Sequence, residues 1–162
     1  MAASDSSLPN VAAIFGAVLE RVPGPERPLL IALAERLAAT RYRGWAGMVT
    51  NDARRAGLLA CADREEEIAR RVETLSPEAA AVQRDILGRN PDLEDINRSL
   101  FAERPLDQQF AIQARGERLG ATTWRALAED AAGEDTRRTL LGCAELEEEN
   151  ASYLESLLRG AA

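Results

Sequence analysis

The chain of 162 residues contains no histidine and no lysine, so arginine supplies every basic side chain. Without histidine, the protein lacks the commonest metal ligand and the usual general base near neutral pH. Nucleophilic schemes that pair serine or cysteine with histidine are excluded for the same reason. The two cysteines, Cys61 and Cys143, are too few for a disulfide framework and have no CxxC spacing.

Aromatic residues are also scarce, at 4% of the chain, and valine and isoleucine are too few and too scattered for a β-sheet. Alanine, leucine, arginine and glutamate dominate, which is a helix-forming composition. A net charge of −7 makes nucleic acid an unfavourable partner. No apolar run approaches the ~20 residues of a membrane span. The first seven residues carry no basic side chain and lead into no signal-like segment, so we expect a cytoplasmic protein.

The sequence repeats itself after a shift of 82 residues, without a gap. Between Ala34 and Leu75, 18 of 42 positions are identical to their shifted partners. The length fits a single domain, residues 1–162, made of two copies at about 9–80 and 91–162. Duplicated units usually pack around a pseudo-two-fold axis. A functional residue is therefore expected as a pair that faces this axis.

Hydrophobic periodicity and breaker residues predict one short and two long helices in each copy. The predicted helices of the first copy cover about 9–21 and 26–49, with a third that follows the break at 50–52 and runs to about 75. Those of the second copy cover about 93–102, 107–131 and 135–158. The segment 76–105 is expected to be a long, partly helical crossover. The sequence thus predicts an all-α fold, with two helical hairpins joined by one long crossover in a four-helix bundle.

Four glutamates do not fit the solvated faces of these helices. Glu35, Glu65, Glu117 and Glu147 each lie among mostly apolar neighbours at helical spacing, one on each long helix. Within each hairpin the two glutamates are 30 residues apart, and the midpoint falls at the predicted turn. Each therefore lies roughly 22 Å from its turn, at ~1.5 Å per residue, so that all four meet at mid-bundle. Carboxylates clustered in a core are costly unless they are protonated, paired with arginine or bound to a metal.

This pattern resembles the ferritin-like superfamily, in particular its rubrerythrin-like branch, over nearly the whole chain. Such bundles bind two iron ions with one Glu from each of two helices and a Glu-x-x-His motif from each of the other two. The resemblance implies that Glu35 and Glu117 take the single-Glu positions, while Glu65 and Glu147 begin the two motifs. The two motif histidines are replaced by Ile68 and Asn150. The rubredoxin-like cysteine cluster of typical rubrerythrins is missing as well.

The replaced histidines leave two interpretations open. In the first, Glu35, Glu65, Glu117 and Glu147 bind one or two divalent ions, Fe or Mn by the resemblance, with Asn150 as an auxiliary oxygen ligand. An all-oxygen site suits harder ions such as Mn²⁺, Mg²⁺ or Ca²⁺. The resemblance implies oxidoreductase-type chemistry with oxygen or peroxide, or iron storage. In the second, the cluster is a vestigial site that binds no metal, and the bundle serves oligomerisation or partner binding.

Two further expectations concern the cysteines and assembly. Cys61 and Cys143 are related by the repeat, and each lies one turn before a site glutamate. They are either ordinary small core residues or a thiol pair near the axis. Ferritin-like bundles often form dimers, so we expect a homo-oligomer, with the apolar short helix near 11–19 as one possible interface.

Overall fold

A computed structural model describes residues 8–160 and confirms the prediction of an all-α fold. The described part of the chain forms seven α-helices and no strand. The predictions about the first seven residues lie outside it, as do the last two residues of the second copy. The helices are α1 Val11–Leu19, α2 Arg27–Met48, α3 Asp52–Thr74, α4 Ala79–Arg89, α5 Leu93–Phe101, α6 Leu106–Glu129 and α7 Glu134–Arg159, with a 3₁₀ turn at Gly24–Glu26.

Local sequence signals explain where these helices begin. The side chain of Asn10 accepts a hydrogen bond from the Ala13 amide at the start of α1, and Asn51 accepts one from the Arg54 amide at the start of α3. Both are N-caps of the kind that satisfies an otherwise unpaired helical N–H group. Pro28 lies in the first turn of α2, where its missing N–H is not needed.

The four long helices pack as two hairpins. Helices α2 and α3 pack against each other across a three-residue connection, and α6 and α7 pack against each other across a four-residue connection. The hairpins meet mainly through α3 and α7. On the opposite side, long side chains bridge α2 and α6: the Trp45 indole N–H donates to Gln109 at 2.8 Å. Helices α2 and α6 are therefore farther apart than α3 and α7. The space between α2 and α6 is bordered by α1 and α5, which pack against α6.

The crossover contains the helices α4 and α5. Ile86 on α4 is fully buried in an apolar cluster with Val22, Leu29 and Leu30. This cluster fixes α4 to the start of α2, while α5 continues to the edge of the bundle. The crossover is thus packed against the bundle at both of its helices.

The helix bounds and ion pairs of the two halves agree with the 82-residue shift. Helix α5 begins and ends 82 residues after α1. Three surface ion pairs of the first half recur at the shifted positions: Arg36–Glu66, Arg36–Glu73 and Arg43–Glu66 correspond to Arg118–Glu148, Arg118–Glu155 and Arg125–Glu148. Exposed pairs of this kind contribute little stability. Their recurrence shows that the two hairpins have similar surfaces at equivalent positions.

Two apolar clusters fill the bundle, one on each side of the level at which the four predicted site glutamates lie. The first contains Tyr42, Trp45, Leu58 and Phe110, and the second contains Ile31, Ile68, Trp124 and Leu140, each with smaller neighbours. On every long helix, the predicted site glutamate falls between residues of one cluster and residues of the other. No helix in residues 8–160 is long and apolar enough to cross a membrane.

Candidate metal centre

The structure brings all four predicted glutamates into the interior. Glu35 on α2, Glu65 on α3, Glu117 on α6 and Glu147 on α7 are all buried, and Glu65 has no exposed surface. Ionised carboxylates in such an environment are strongly disfavoured without compensation. The chemistry available to the cluster therefore depends on which groups offset the cost of burying each carboxylate.

Three of the four carboxylates converge. Ligand oxygens of Glu35, Glu65 and Glu147 lie within 4.8 Å of one another. The Oε2 atom of Glu65 has no hydrogen-bond partner in the structure, although it is buried. Nearly all buried polar atoms in proteins have a partner, so an exception requires an explanation. A cation bound among these three oxygens would supply one.

Glu117 borders this trio and accepts two hydrogen bonds of its own. The Tyr42 hydroxyl donates to Glu117 Oε1 at 2.6 Å, and the Gln113 amide donates to the same oxygen at 2.8 Å. Gln113 lies four residues before Glu117 on α6, so both side chains share one face of the helix. This spacing is the sequence signal by which Gln113, which our sequence analysis did not assign to the site, could have been found.

Trp124 and Tyr42 are related by the repeat but contact different glutamates. The Trp124 indole N–H donates to Glu147 Oε1 at 2.9 Å. Glu147 is a member of the converging trio, whereas Glu117 is not. Both aromatic side chains are completely buried. Both side chains pack in the core and donate a hydrogen bond to the carboxylate cluster. Because they contact different glutamates, the hydrogen bonding of the cluster is asymmetric.

Asn150 contacts the cluster through its amide nitrogen. This nitrogen donates to Glu65 Oε1 at 2.6 Å and, more weakly, to the Cys61 carbonyl at 3.4 Å. The amide oxygen of Asn150 accepts from Arg64 at 3.3 Å. In this arrangement Asn150 orients Glu65, and its oxygen is engaged outside the trio. Ile68, at the other replaced histidine position, is fully buried in the second apolar cluster.

Burial raises the pKa of three of these carboxyl groups. Desolvation raises the pKa of Glu35 from 4.5 to about 7, against opposing hydrogen bonds from its neighbours. The pKa of Glu65 is raised well above its ordinary range by burial and by the negative charge of Glu117. For Glu147 the causes are burial and the charge of Glu35. In the absence of a cation, protons are therefore shared within the cluster at neutral pH.

A glycine makes room for one of the ligands. A Cβ atom at Gly120 on α6 would lie 2.5 Å from Glu147 Oε1. The equivalent position in the first copy is Ala38. The carboxylate of Glu147 thus occupies space that any other residue at position 120 would take. The space beside Gly120 and the unpartnered oxygen of Glu65 are both compatible with a small cation bound by the three carboxylates.

Arg41 is a further polar residue near the cluster that the sequence analysis did not identify. Its guanidinium donates to Gln113 Oε1 at 3.1 Å and to Asn97 Oδ1 at 2.7 Å, and it lies 3.8 Å from the centre of the Phe101 ring. Burial lowers the pKa of Arg41 to about 10, partly offset by the charge of Glu117, so the side chain stays charged at neutral pH. The signal in the sequence is an arginine on the face of α2 that also carries Tyr42 and Trp45.

The cysteines are buried free thiols. Burial raises the pKa of both Cys61 and Cys143 to about 12. A thiol with such a pKa is protonated at neutral pH, and it is neither a good nucleophile nor a ready soft ligand. The structure therefore favours the role of small core residues for both.

Comparison with known proteins does not assign this chain to a family. No protein-family model matches it, and no curated protein or solved structure is significantly similar to it.

Proposed function

We propose that this protein is a ferritin-like helical bundle that binds one divalent cation in an all-oxygen site formed by Glu35, Glu65 and Glu147. The observation that carries the proposal is the convergence of these three buried side chains, whose oxygens lie within 4.8 Å of one another. The unpartnered Glu65 Oε2 points to a missing positive partner. The space that Gly120 leaves beside Glu147 supports the same proposal.

The fold supports the ferritin-like part of the proposal. Two hairpins joined by a crossover of two short helices form the connectivity that this superfamily uses. The single glutamates on α2 and α6 and the motif glutamates on α3 and α7 lie at one level, between the two apolar clusters. The rubrerythrin-like assignment itself rests on the sequence resemblance.

The proposed stoichiometry is one ion for each chain. Two hydrogen bonds engage Glu117 Oε1, and the amide oxygen of Asn150 is engaged by Arg64. Both residues then support the site: Glu117 as a neighbouring charge, and Asn150 as the donor that orients Glu65. A second ion would have to share the Glu117 carboxylate with these donors, or displace Arg64 from Asn150.

The donor set selects the class of ion. Carboxylate oxygens without imidazole or thiolate suit Mn²⁺, Mg²⁺ or Ca²⁺, and Fe²⁺ less well. The three glutamates would hold the ion and fix its position. A bound Mn or Fe ion would supply redox chemistry with oxygen or peroxide, which is the activity that the ferritin-like resemblance implies.

The alternative function is a bundle that binds no metal and acts in oligomerisation or partner binding. Its support is that hydrogen-bond donors already contact the cluster: Tyr42 at Glu117, Trp124 at Glu147 and Asn150 at Glu65. With the raised pKa of Glu35, shared protons could complete the compensation.

Elemental analysis of protein purified without a metal-affinity tag distinguishes the two functions. Thermal melts with Mn²⁺, Fe²⁺ and Mg²⁺ accompany it, on the wild type, on Glu65→Gln and on the control Glu145→Gln, which alters an exposed glutamate of α7. We expect one ion for each chain and a higher Tm that Glu65→Gln abolishes and Glu145→Gln preserves. Absence of an ion and of any shift, with Glu65→Gln more stable than the wild type, would establish the alternative. If the bound ion is Mn or Fe, the next experiment is an activity assay with oxygen and with peroxide.

A further inference from the structure

A cavity of about 340 Å³ lies between α1, α2, α5 and α6 and reaches the carboxylate cluster. Its volume falls within the range of small-molecule sites, ~300–1,000 Å³. Glu35, Glu117 and Glu147 lie at its inner end. The cavity exists because α2 and α6 are bridged by long side chains instead of packing directly.

The walls of the cavity are mainly aliphatic. Helix α1 contributes one apolar face, which includes Val11 and Phe15, and α5 contributes Ile96 and Leu100. None of the residues of α1 is fully buried, although this helix is almost entirely apolar. Apolar side chains that line a cavity lack contacts on one side, and an aliphatic ligand would supply them.

Two arginines line this apolar space, and one of them, Arg36, is already paired with Glu66 and Glu73. Arg41 lines the cavity, and both of its hydrogen-bond acceptors are neutral amide oxygens, from Gln113 and Asn97. It forms no ion pair with any carboxylate in residues 8–160. An arginine carries five N–H donors in a planar fork that matches a carboxylate. Arg41 therefore has both the charge and the geometry to bind an anionic head group at the edge of the cavity.

We propose that the cavity binds a small amphipathic carboxylate, with the carboxylate on Arg41 and the aliphatic chain between α1 and α5. This goes beyond the proposed cation site and does not require an ion to be bound. Two of the three inner carboxylates already have donors, which disfavours an amine head group at them: Tyr42 and Gln113 contact Glu117, and Trp124 contacts Glu147.

Calorimetric titration of the full chain tests the chemistry of the ligand. The probes are octanoate, 1-octanol and octylammonium, which share one aliphatic chain, and each is titrated with and without Mn²⁺. We expect octanoate to bind about tenfold more tightly than octanol, the difference of one charge-assisted pairing. Octanoate binding to the metal-free protein would stand even if the cation proposal failed. Absence of octanoate binding in both conditions, or a preference for octylammonium, overturns the inference.

A pair of glycines provides the steric test. Gly116 on α6 lines the cavity, and a Cβ atom there would meet nothing within 4 Å. Gly116→Leu should fill the cavity and weaken octanoate binding about tenfold or more. Gly44→Leu makes the same change at an exposed position of α2 that also has nothing within 4 Å, and it should leave the affinity within about twofold. Equal binding by both variants would place the ligand elsewhere and overturn the inference.

The arginine is tested by its own pair of variants. Arg41→Met should remove the preference for octanoate over octanol and leave octanol binding unchanged. Arg43→Met alters an exposed arginine two residues away and should keep the preference. Sedimentation of all four variants tests whether the apolar face of α1 is instead covered by a second copy of the chain. If the wild type is a dimer that binds no octanoate, and Gly116→Leu is a monomer, the inference is overturned. The apolar face of α1 is then an interface between two copies of the chain.

Discussion

Glu35→Gln provides a quantitative test of how the carboxylate cluster is compensated. Glu35 is 8% exposed, and burial raises its pKa from 4.5 to about 7. Its carboxyl group keeps a proton in the folded state at pH values where the unfolded state has released it. Stability then falls as the pH rises. The effect begins near pH 4.5, is complete above pH 7, and amounts to about 3 kcal/mol at 1.36 kcal/mol per pKa unit.

Urea unfolding of the metal-free protein measures this effect. At pH 4 the wild type and Glu35→Gln should have nearly the same free energy of unfolding. At pH 8 the variant should be more stable, by up to about 3 kcal/mol, because a neutral amide cannot ionise. Glu145→Gln, at an exposed position of α7, should follow the wild type at both pH values.

Saturating Mn²⁺ should reverse the order. A cation that binds the folded wild type should raise its stability with the logarithm of the cation concentration over Kd, whereas Glu35→Gln has lost one of three proposed ligands and should gain little. The reasoning is refuted if metal-free Glu35→Gln is less stable than the wild type at pH 8. Glu35 would then be an ionised carboxylate in the metal-free fold, compensated by contacts that the cluster geometry does not reveal.

Three further changes test individual contacts. Gly120→Ala places a Cβ atom against Glu147 Oε1. It should therefore weaken cation binding, measured by calorimetry, about tenfold or more. The free energy of unfolding of the metal-free protein, measured in urea, should change by less than ~1 kcal/mol. Tyr42→Phe removes the 2.6 Å hydrogen bond to Glu117 and should lower the free energy of unfolding by about 1–3 kcal/mol. Arg70 and Arg71 lower the pKa of Glu67 to about 2. Glu67→Gln should therefore lower the free energy of unfolding at pH 7 by less than ~1 kcal/mol, and this difference should vanish as the pH falls toward 2, as measured by urea unfolding.

The glycine and tyrosine changes each have a matched control. Gly116→Ala adds a methyl group to α6 where nothing lies within 4 Å, so cation affinity should not change and helix propensity should slightly raise stability. Tyr153→Phe removes an exposed hydroxyl that donates to the Arg54 carbonyl, and it should cost less than Tyr42→Phe. A similar loss of stability in the two tyrosine variants would mean that the buried hydroxyl has no special role at Glu117.

The helical fold and the location of the cluster could be predicted from the sequence. Helix composition, breaker residues and the 82-residue shift are local or periodic signals, and the structure follows them closely. Glu35 and Glu65 are equidistant from one turn, as are Glu117 and Glu147, so hairpin geometry alone places each pair at one level. Such arguments need only the helical rise and the position of each turn.

The division of the four glutamates into a trio and a single residue could not be predicted. It depends on which donor reaches which oxygen, and the repeat-related donors Tyr42 and Trp124 differ in length and in the position of their polar atom. The orientation of the Asn150 amide depends on Arg64, a residue on another helix. The space between α2 and α6, with Arg41 at its edge, depends on side chains that face each other across the bundle.

This asymmetry bears on the number of ions. In a symmetric duplicate, each half would supply the same ligands, and two equivalent ions would be expected. Here the Tyr42 hydroxyl engages Glu117, while the indole of its counterpart Trp124 engages Glu147 without excluding it from the trio. The two hairpins thus supply four carboxylates, of which three converge, and Tyr42 and Trp124 contact different members of the four. A single cation would balance three carboxylates more nearly than four, and under the proposed function it would also give the unpartnered oxygen of Glu65 a partner inside the trio.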